Sequence, residues 1–206
     1  MKITKFNHSC LLVQDSGKNT LIDPGNYSEG TLIVEKLPPL EYLLITHEHM
    51  DHFSLPLVEK IVWHNPQIKI ITTSSVVSQL ANKNLTATDK GDDYISVEKV
   101  PHEKVWGGNP GQNIMVTVGG KLTHPGDSHS FSNSSDILAL PITAPWGSTT
   151  AAVELAIKLK PKVVIPIHDY MLKDESRRTV YEWIAGYLES QGIDFKKIES
   201  KETIEV

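Results

Sequence analysis

Tyr42-Leu43-Leu44-Ile45-Thr46-His47-Glu48-His49-Met50-Asp51-His52 is the stretch on which the reading of this chain turns. Tyr42 to Ile45 form a short apolar run, the pattern of a strand buried on both faces. The run ends where the histidines begin. His47, His49, Asp51 and His52 all fall between positions 47 and 52. Neutral imidazole and carboxylate are good ligands for zinc-like cations. A tight loop after a strand can turn His47 and His49 toward one ion, and Asp51 and His52 toward a second. Two ions about 3.5–4 Å apart can hold a hydroxide between them. A polar loop or a pH-sensitive cluster is the plainer alternative. Three histidines and one aspartate at these offsets arise by chance about 0.001 times per sequence of this composition, which favours the metal reading.

Two rival motifs fail. A zincin helix needs His-Glu-x-x-His, and the fifth position after His47-Glu48 is Asp51. A serine-hydrolase elbow needs Gly-x-Ser-x-Gly, and Gly126-Asp127-Ser128-His129-Ser130 ends on serine.

Upstream of the histidine run, Lys2–Phe6 alternates, Cys10–Val13 is apolar, and Thr20–Ile22 leads into the turn signal Asp23-Pro24-Gly25. Downstream, Ser54 caps a helix with Pro56 in its first turn. Leu57, Val58, Ile61 and Val62 share one face of it, and Asn65-Pro66 stops it. Ile68–Ile71 reads as a strand and Ser74–Ala81 as a helix. Gly119-Gly120 joins Ile114–Val118 to Lys121–Thr123 as a hairpin. Strand Asp136–Pro141, helix Thr149–Leu159 and strand Val163–Ile167 make a βαβ unit, which implies parallel strands. A last amphipathic helix spans Glu175–Ser190, with Val180, Trp183, Ile184, Tyr187 and Leu188 expected toward the core and Gly192 ending it.

The chain has 206 residues, and no linker-like stretch divides it, so a single domain over 1–206 is expected. Apolar residues at 39% can supply a core. The net charge of −5 argues against nucleic acid as the main partner. There is no signal-peptide pattern and no apolar run of membrane-spanning length. The single cysteine, Cys10, cannot form an intrachain disulfide and reads as a buried strand residue. A cytoplasmic protein acting on a small molecule is therefore expected. Oligomeric state cannot be read.

The run His47-x-His49-x-Asp51-His52 after a buried strand resembles the metallo-β-lactamase superfamily. So do Val100-Pro101-His102, His124-Pro125-Gly126-Asp127-Ser128 and Ile165-Pro166-Ile167-His168. Asn7-His8-Ser9-Cys10, Leu21-Ile22-Asp23-Pro24 and Gly107-Gly108-Asn109-Pro110 resemble one branch of it. That branch holds small metal-dependent hydrolases related to the ascorbate-6-phosphate lactonase and the phospholipase D-like members. The resemblance implies an α+β fold, a four-layer αββα sandwich with the metals at one edge of two sheets. It also implies His47, His49 and His102 on one metal, Asp51, His52 and His168 on a second, and Asp127 bridging them.

Two divalent cations are then expected, zinc first, with manganese or iron(II) acceptable to the same ligands. The expected activity is hydrolysis of a small ester, lactone or phosphoester by hydroxide held between the metals, with Asp51 and Asp127 at the chemistry. Asp127 would orient the hydroxide, and His8 would line the pocket or give up a proton. Two other readings stay open: a nucleic-acid phosphodiesterase of the same superfamily, and a metal-binding protein without turnover. Asp23 is expected to bond the free ring nitrogen of a ligand histidine. His124 is expected to pack beside Asp127, and His64 and His129 to face solvent. Trp106 and Trp146, each beside glycine, are expected to be buried, or else to form aromatic walls.

Overall fold

The computed structural model describes residues 1–106 and 110–206, so Gly107, Gly108 and Asn109 of the glycine-rich motif lie outside the described residues. Strands β1 (Lys2–Lys5), β2 (Leu11–Asp15) and β3 (Lys18–Ile22) form an antiparallel meander. Strands β4 (Tyr42–Ile45) and β5 (Lys69–Thr72) extend it in parallel. A parallel pair needs a crossover, and helix α1 (Leu55–His64) supplies it between β4 and β5. Helix α2 (Ser74–Ala81) follows, capped by the Thr73 hydroxyl, which accepts from the Val76 amide.

The second sheet begins with antiparallel β6 (Ile95–Lys99), β7 (Ile114–Val118) and β8 (Leu122–His124). It continues in parallel through β9 (Ile137–Pro141), β10 (Val163–Ile167) and β11 (Asp194–Phe195). Helices α3 (Thr149–Leu159) and α4 (Asp174–Ser190) make the last two crossovers. Strand β12 (Thr203–Glu205) returns to pair with β1. The sheet orders are β12-β1-β2-β3-β4-β5 and β11-β10-β9-β8-β7-β6.

Strand alternation builds the layers. Leu11, Val13 and Leu44 meet Val116, Val118 and Ile165 between the sheets. Leu12, Leu43 and Ile45 face the other way, onto Val58, Ile61, Val76 and Leu80 of α1 and α2. Leu138, Leu140 and Val164 pack on Leu155, Tyr181, Ile184 and Leu188 of α3 and α4. Strands buried on both faces read as continuous apolar runs, which is why Tyr42–Ile45 shows no alternation. The result is the expected αββα order of layers.

Helix α4 corrects one expectation. Its buried residues are Tyr181, Ile184, Ala185 and Leu188, whereas Trp183 and Tyr187 are 71% and 54% exposed. Positions 181, 184, 185 and 188 form the narrow stripe of spacing 3, 4 and 7 that meets the sheet. Trp183 and Tyr187 fall outside that stripe. No helix among the described residues is long and apolar enough to cross a membrane.

The topology brings the chemistry-bearing loops to one edge. His8 follows β1, Asp23 follows β3, and His47 to His52 follow β4. His102 follows β6, Asp127 follows β8 and His168 follows β10. Sites outside the carboxyl ends of strands are the general rule for parallel sheets.

Candidate metal centre

The loop after β4 is locked to the loop after β3. The Asn26 amide donates to the Met50 carbonyl at 2.8 Å, and the Ser54 amide to the Pro24 carbonyl at 3.0 Å. Gly25 is required for this approach, because a Cβ there would lie 1.8 Å from the Asp51 carbonyl oxygen. Gly126 has a similar role beside Asp127. Its φ is +59°, and a Cβ would lie 2.2 Å from Asn113 Oδ1.

Four histidines are pinned in the same way, by the Nδ1 side of the ring. His52 Nδ1 donates to Asp23 Oδ2 at 2.7 Å. His102 Nδ1 donates to the Glu103 carbonyl at 2.7 Å, and His168 Nδ1 to the Thr143 carbonyl at 2.9 Å. His47 Nδ1 lies 3.1 Å from the Thr46 hydroxyl, whose own proton goes to Asp23 Oδ2 at 2.8 Å. An acceptor at Nδ1 fixes the tautomer and leaves the Nε2 lone pair free for a cation. Asp23, with its other oxygen on the Thr46 amide at 2.7 Å, therefore orients His52 directly and His47 through Thr46. This is the role expected for it.

The free atoms converge in two groups. His47, His49, His102 and Asp127 form one, and His8, Asp51, His52 and His168 the other. Within each group the candidate ligand atoms lie within 4.8 Å of one another. Asp127 spans both. Its Oδ2 is 3.8 Å from His47 Nε2 and 3.5 Å from His102 Nε2. Its Oδ1 is 3.0 Å from His52 Nε2 and 3.2 Å from His168 Nε2.

A cation fits this donor set. His47 Nε2, His52 Nε2, His168 Nε2 and Asp127 Oδ1 are all buried and make no hydrogen bond. Buried polar atoms without partners are rare and call for an explanation. Three imidazole nitrogens that converge around one carboxylate, itself with an unpartnered oxygen, match the imidazole and carboxylate chemistry of a zinc-like ion.

The electrostatics of the site's own groups divide its histidines. Burial, with the charges of its histidine neighbours, holds the His47 pKa well below its ordinary value. Burial opposes charge on Asp127, yet His52, His168 and His47 outweigh it and hold the carboxyl well below the usual range. Burial opposes charge on His52 and His168, yet Asp127 outweighs it and raises the pKa of both, so a cation would have to displace protons from these two rings.

The structure brings together every residue the sequence put forward for the metals, His102 included. It also brings in His8. The His8 Nε2 lies 3.0 Å from Asp51 Oδ2, and its ring is 4.0 Å from that of His168. Burial and the His168 charge push its pKa down to about 4. Asn7, His8, Asp23 and His168 all have positive φ. For non-glycine residues this costs about 1–3 kcal/mol each and is found at functional sites.

Other expectations land elsewhere. His124 packs beneath Asp127 as expected, with Nε2 donating to the Ser9 carbonyl at 3.0 Å and Nδ1 accepting from the Gly126 amide at 3.3 Å. His64 is exposed. His129 is half-buried rather than solvent-facing, because its Nε2 donates to the Pro141 carbonyl at 2.8 Å and its ring abuts Trp146. Trp106 is 80% exposed, not buried. Trp146 is half-buried, and its indole N–H donates to Asp127 Oδ2 at 2.9 Å.

One network escaped the sequence reading. The Lys5 ammonium is buried and donates to the Pro166 carbonyl at 2.9 Å, Asp169 Oδ2 at 2.7 Å and the Tyr181 hydroxyl at 3.1 Å. The Tyr181 hydroxyl also donates to Asp169. Ile3 and Lys5 share the buried face of β1. A charge on that face was the available signal.

Comparison with known proteins places the chain. A family model described as a β-lactamase superfamily domain matches residues 2–168. The Mycobacterium tuberculosis protein Rv0786c is 30% identical over 194 residues, covering 88% of this chain and 90% of that one. A UPF0173 metal-dependent hydrolase of Lysinibacillus sphaericus is 27% identical over 198 residues, covering 82% of this chain and 85% of its own. In fold, the metallo hydrolase Igni18 of Ignicoccus hospitalis superposes with a TM-score of 0.71 at 19% identity, covering 100% of this chain and 98% of that one. An isothiocyanate hydrolase from Delia radicum gut bacteria gives 0.69 at 16% identity, covering 100% and 99%. The strand-end loops, their convergent histidines and this match over most of its length agree, and the chain belongs to the metallo-β-lactamase superfamily, in its metal-dependent hydrolase branch.

Proposed function

We propose that residues 1–206 form one hydrolase domain that uses two divalent cations, zinc first, on a small ester, lactone or phosphoester. The observation that carries this reading is Asp127, whose Oδ2 faces His47 and His102 and whose Oδ1 faces His52 and His168, with the Nε2 atoms of His47, His52 and His168 buried and unpartnered. His47, His49 and His102 would hold one cation, and Asp51, His52 and His168 the other, with Asp127 shared between them. When bound, two such cations lower the pKa of water and stabilise charge on the attacked centre.

The chain's own groups do the rest. Asp23 keeps a proton on His52 Nδ1 and so keeps Nε2 directed into the site. Asp127, ionised and buried, balances the cations and orients the attacking water. His8, which burial holds neutral, donates from Nε2 to Asp51 Oδ2 and so orients that carboxylate while lining the pocket. The chain carries a net charge of −5. This supports small substrates over a nucleic-acid backbone, which calls for a basic surface.

The test is metal content by mass spectrometry on the wild type and on Asp127→Ala, beside hydrolysis of a generic phosphodiester and a generic lactone. Two metals per chain, with turnover abolished in the variant, is the expected result, and the preferred ester then narrows the substrate class. No metal above background after refilling with zinc and manganese would sink the reading. Full zinc occupancy with no turnover on either ester would favour a metal-binding protein without catalysis.

A further inference from the structure

Asp127 must present one oxygen to each histidine group, so the rotation of its carboxylate is decisive. Its backbone is held by two bonds: its amide donates to Asn113 Oδ1 at 3.2 Å, and its carbonyl accepts from the Glu103 amide at 2.9 Å. Neither fixes the carboxylate. Its Oδ1 lies 3.0 Å from His52 Nε2 and 3.2 Å from His168 Nε2. From outside the two histidine groups, among the described residues, the carboxylate accepts one hydrogen bond, from Trp146 Nε1 to Oδ2 at 2.9 Å.

Trp146 is itself well held. It sits at the tip of a tight turn closed by two reciprocal bonds, Ala144 amide to Gly147 carbonyl and Gly147 amide to Ala144 carbonyl, both 3.2 Å. Its ring meets His129 edge-on at 5.1 Å and His168 edge-on at 5.4 Å. His129 is anchored in turn by Pro141 and by Glu103. On its outer side Trp146 helps line an open cavity of 630 Å³, together with Glu103, His129, Ser130 and Ser148. The indole thus stands between that cavity and Asp127.

The chemistry of this donor is specific. An indole offers one N–H and no acceptor. It can hold an oxygen in place but cannot ligate a metal. Being neutral, it leaves the charge of Asp127 for the cations, which a lysine or arginine would offset. We propose, resting on the two-cation reading above, that Trp146 is a positioning residue: its indole N–H sets the carboxylate rotation by which Asp127 serves both cations.

Trp146→Phe removes the N–H and keeps an aromatic ring. Partners of this kind change metal affinity by about 10–100-fold when lost. The experiment is a chelator-competition titration with zinc alone on wild type and Trp146→Phe, together with indole N–H signals in ¹H–¹⁵N spectra. The chain has four tryptophans. Trp63, Trp106 and Trp183 are exposed, so the Trp146 proton is identified by slow exchange with water and by its loss in the variant.

We expect the Trp146 signal to move on adding zinc, and at least one of two zinc equivalents to bind about tenfold or more weakly in Trp146→Phe. Asp127→Asn, read on the same signal without any cation, tests the hydrogen bond even if Trp146→Phe fails to fold. The indole proton should move upfield when its acceptor loses its charge. Wild type and Trp146→Phe binding two zinc equally tightly, with the indole signal unmoved, would overturn the positioning role and leave the two-cation reading standing. A wild type that binds fewer than two zinc would overturn that reading and this inference with it.

Discussion

Asp23 shows how one side chain can govern a site it does not enter. Its carboxylate accepts from His52 Nδ1, the Thr46 hydroxyl and the Thr46 amide, all fully buried. Asp23→Asn replaces one oxygen with an amide that cannot accept, so either His52 or Thr46 loses its partner. We expect zinc affinity to fall about 10–100-fold, measured by chelator competition. The metal-free protein should lose about 1–3 kcal/mol, from a buried donor left unpaired, measured by urea unfolding. At this scale the sequence was informative about identity and poor about company. His47, His49, Asp51 and His52 were legible because their spacing is local. The company of His8 with Asp51 and His168 depends on two left-handed backbone positions, Asn7 and His8, which no spacing rule marks.

Elements carry the site because their ends are tied together. Lys5 leaves β1 of the first sheet and reaches Pro166 of β10, Asp169 in the loop after it, and Tyr181 of α4. It clamps the first sheet to the very loop that carries His168. Lys5→Met leaves the Asp169 carboxylate buried without its counter-charge. Breaking one side of a buried pair costs about 3–5 kcal/mol, and we expect a loss of that size in chemical unfolding. The helices and the βαβ unit were legible, since α2, α3 and β10 run where the pattern put them. Trp183 and Tyr187 depart from the expected core face because the buried stripe runs through 181, 184, 185 and 188, one residue around the helix from where an apolar count centres it. Strands β11 and β12 span two and three residues, too short to show a period, and they escaped for that reason.

The whole molecule divides the proposed ligands between its sheets. His47, His49, Asp51 and His52 come from the first sheet, and His102, Asp127 and His168 from the second. Bound cations would therefore cross-link the sandwich, and they would stabilise only its folded form. At a free concentration 100 times the dissociation constant, each bound cation contributes about 2.7 kcal/mol. We expect one cooperative thermal transition, as a single domain gives, with a midpoint that drops on adding EDTA and recovers with zinc, followed by calorimetry. An unchanged midpoint would mean that the cations do not join the sheets. The four-layer order was legible through the resemblance and through the paired runs of strand and helix. The clamp of Lys5 and the indole of Trp146 were not, because both act between segments far apart in the chain.

Between α2 and β6, residues 82–93 form a largely exposed stretch. A chain opened there yields a front piece with four of the proposed ligands and a rear piece with three, neither holding a complete set. The rear piece also carries β12, a strand that the front sheet lacks without it. On the two-cation reading, metal bound at full affinity would report that the two pieces have met.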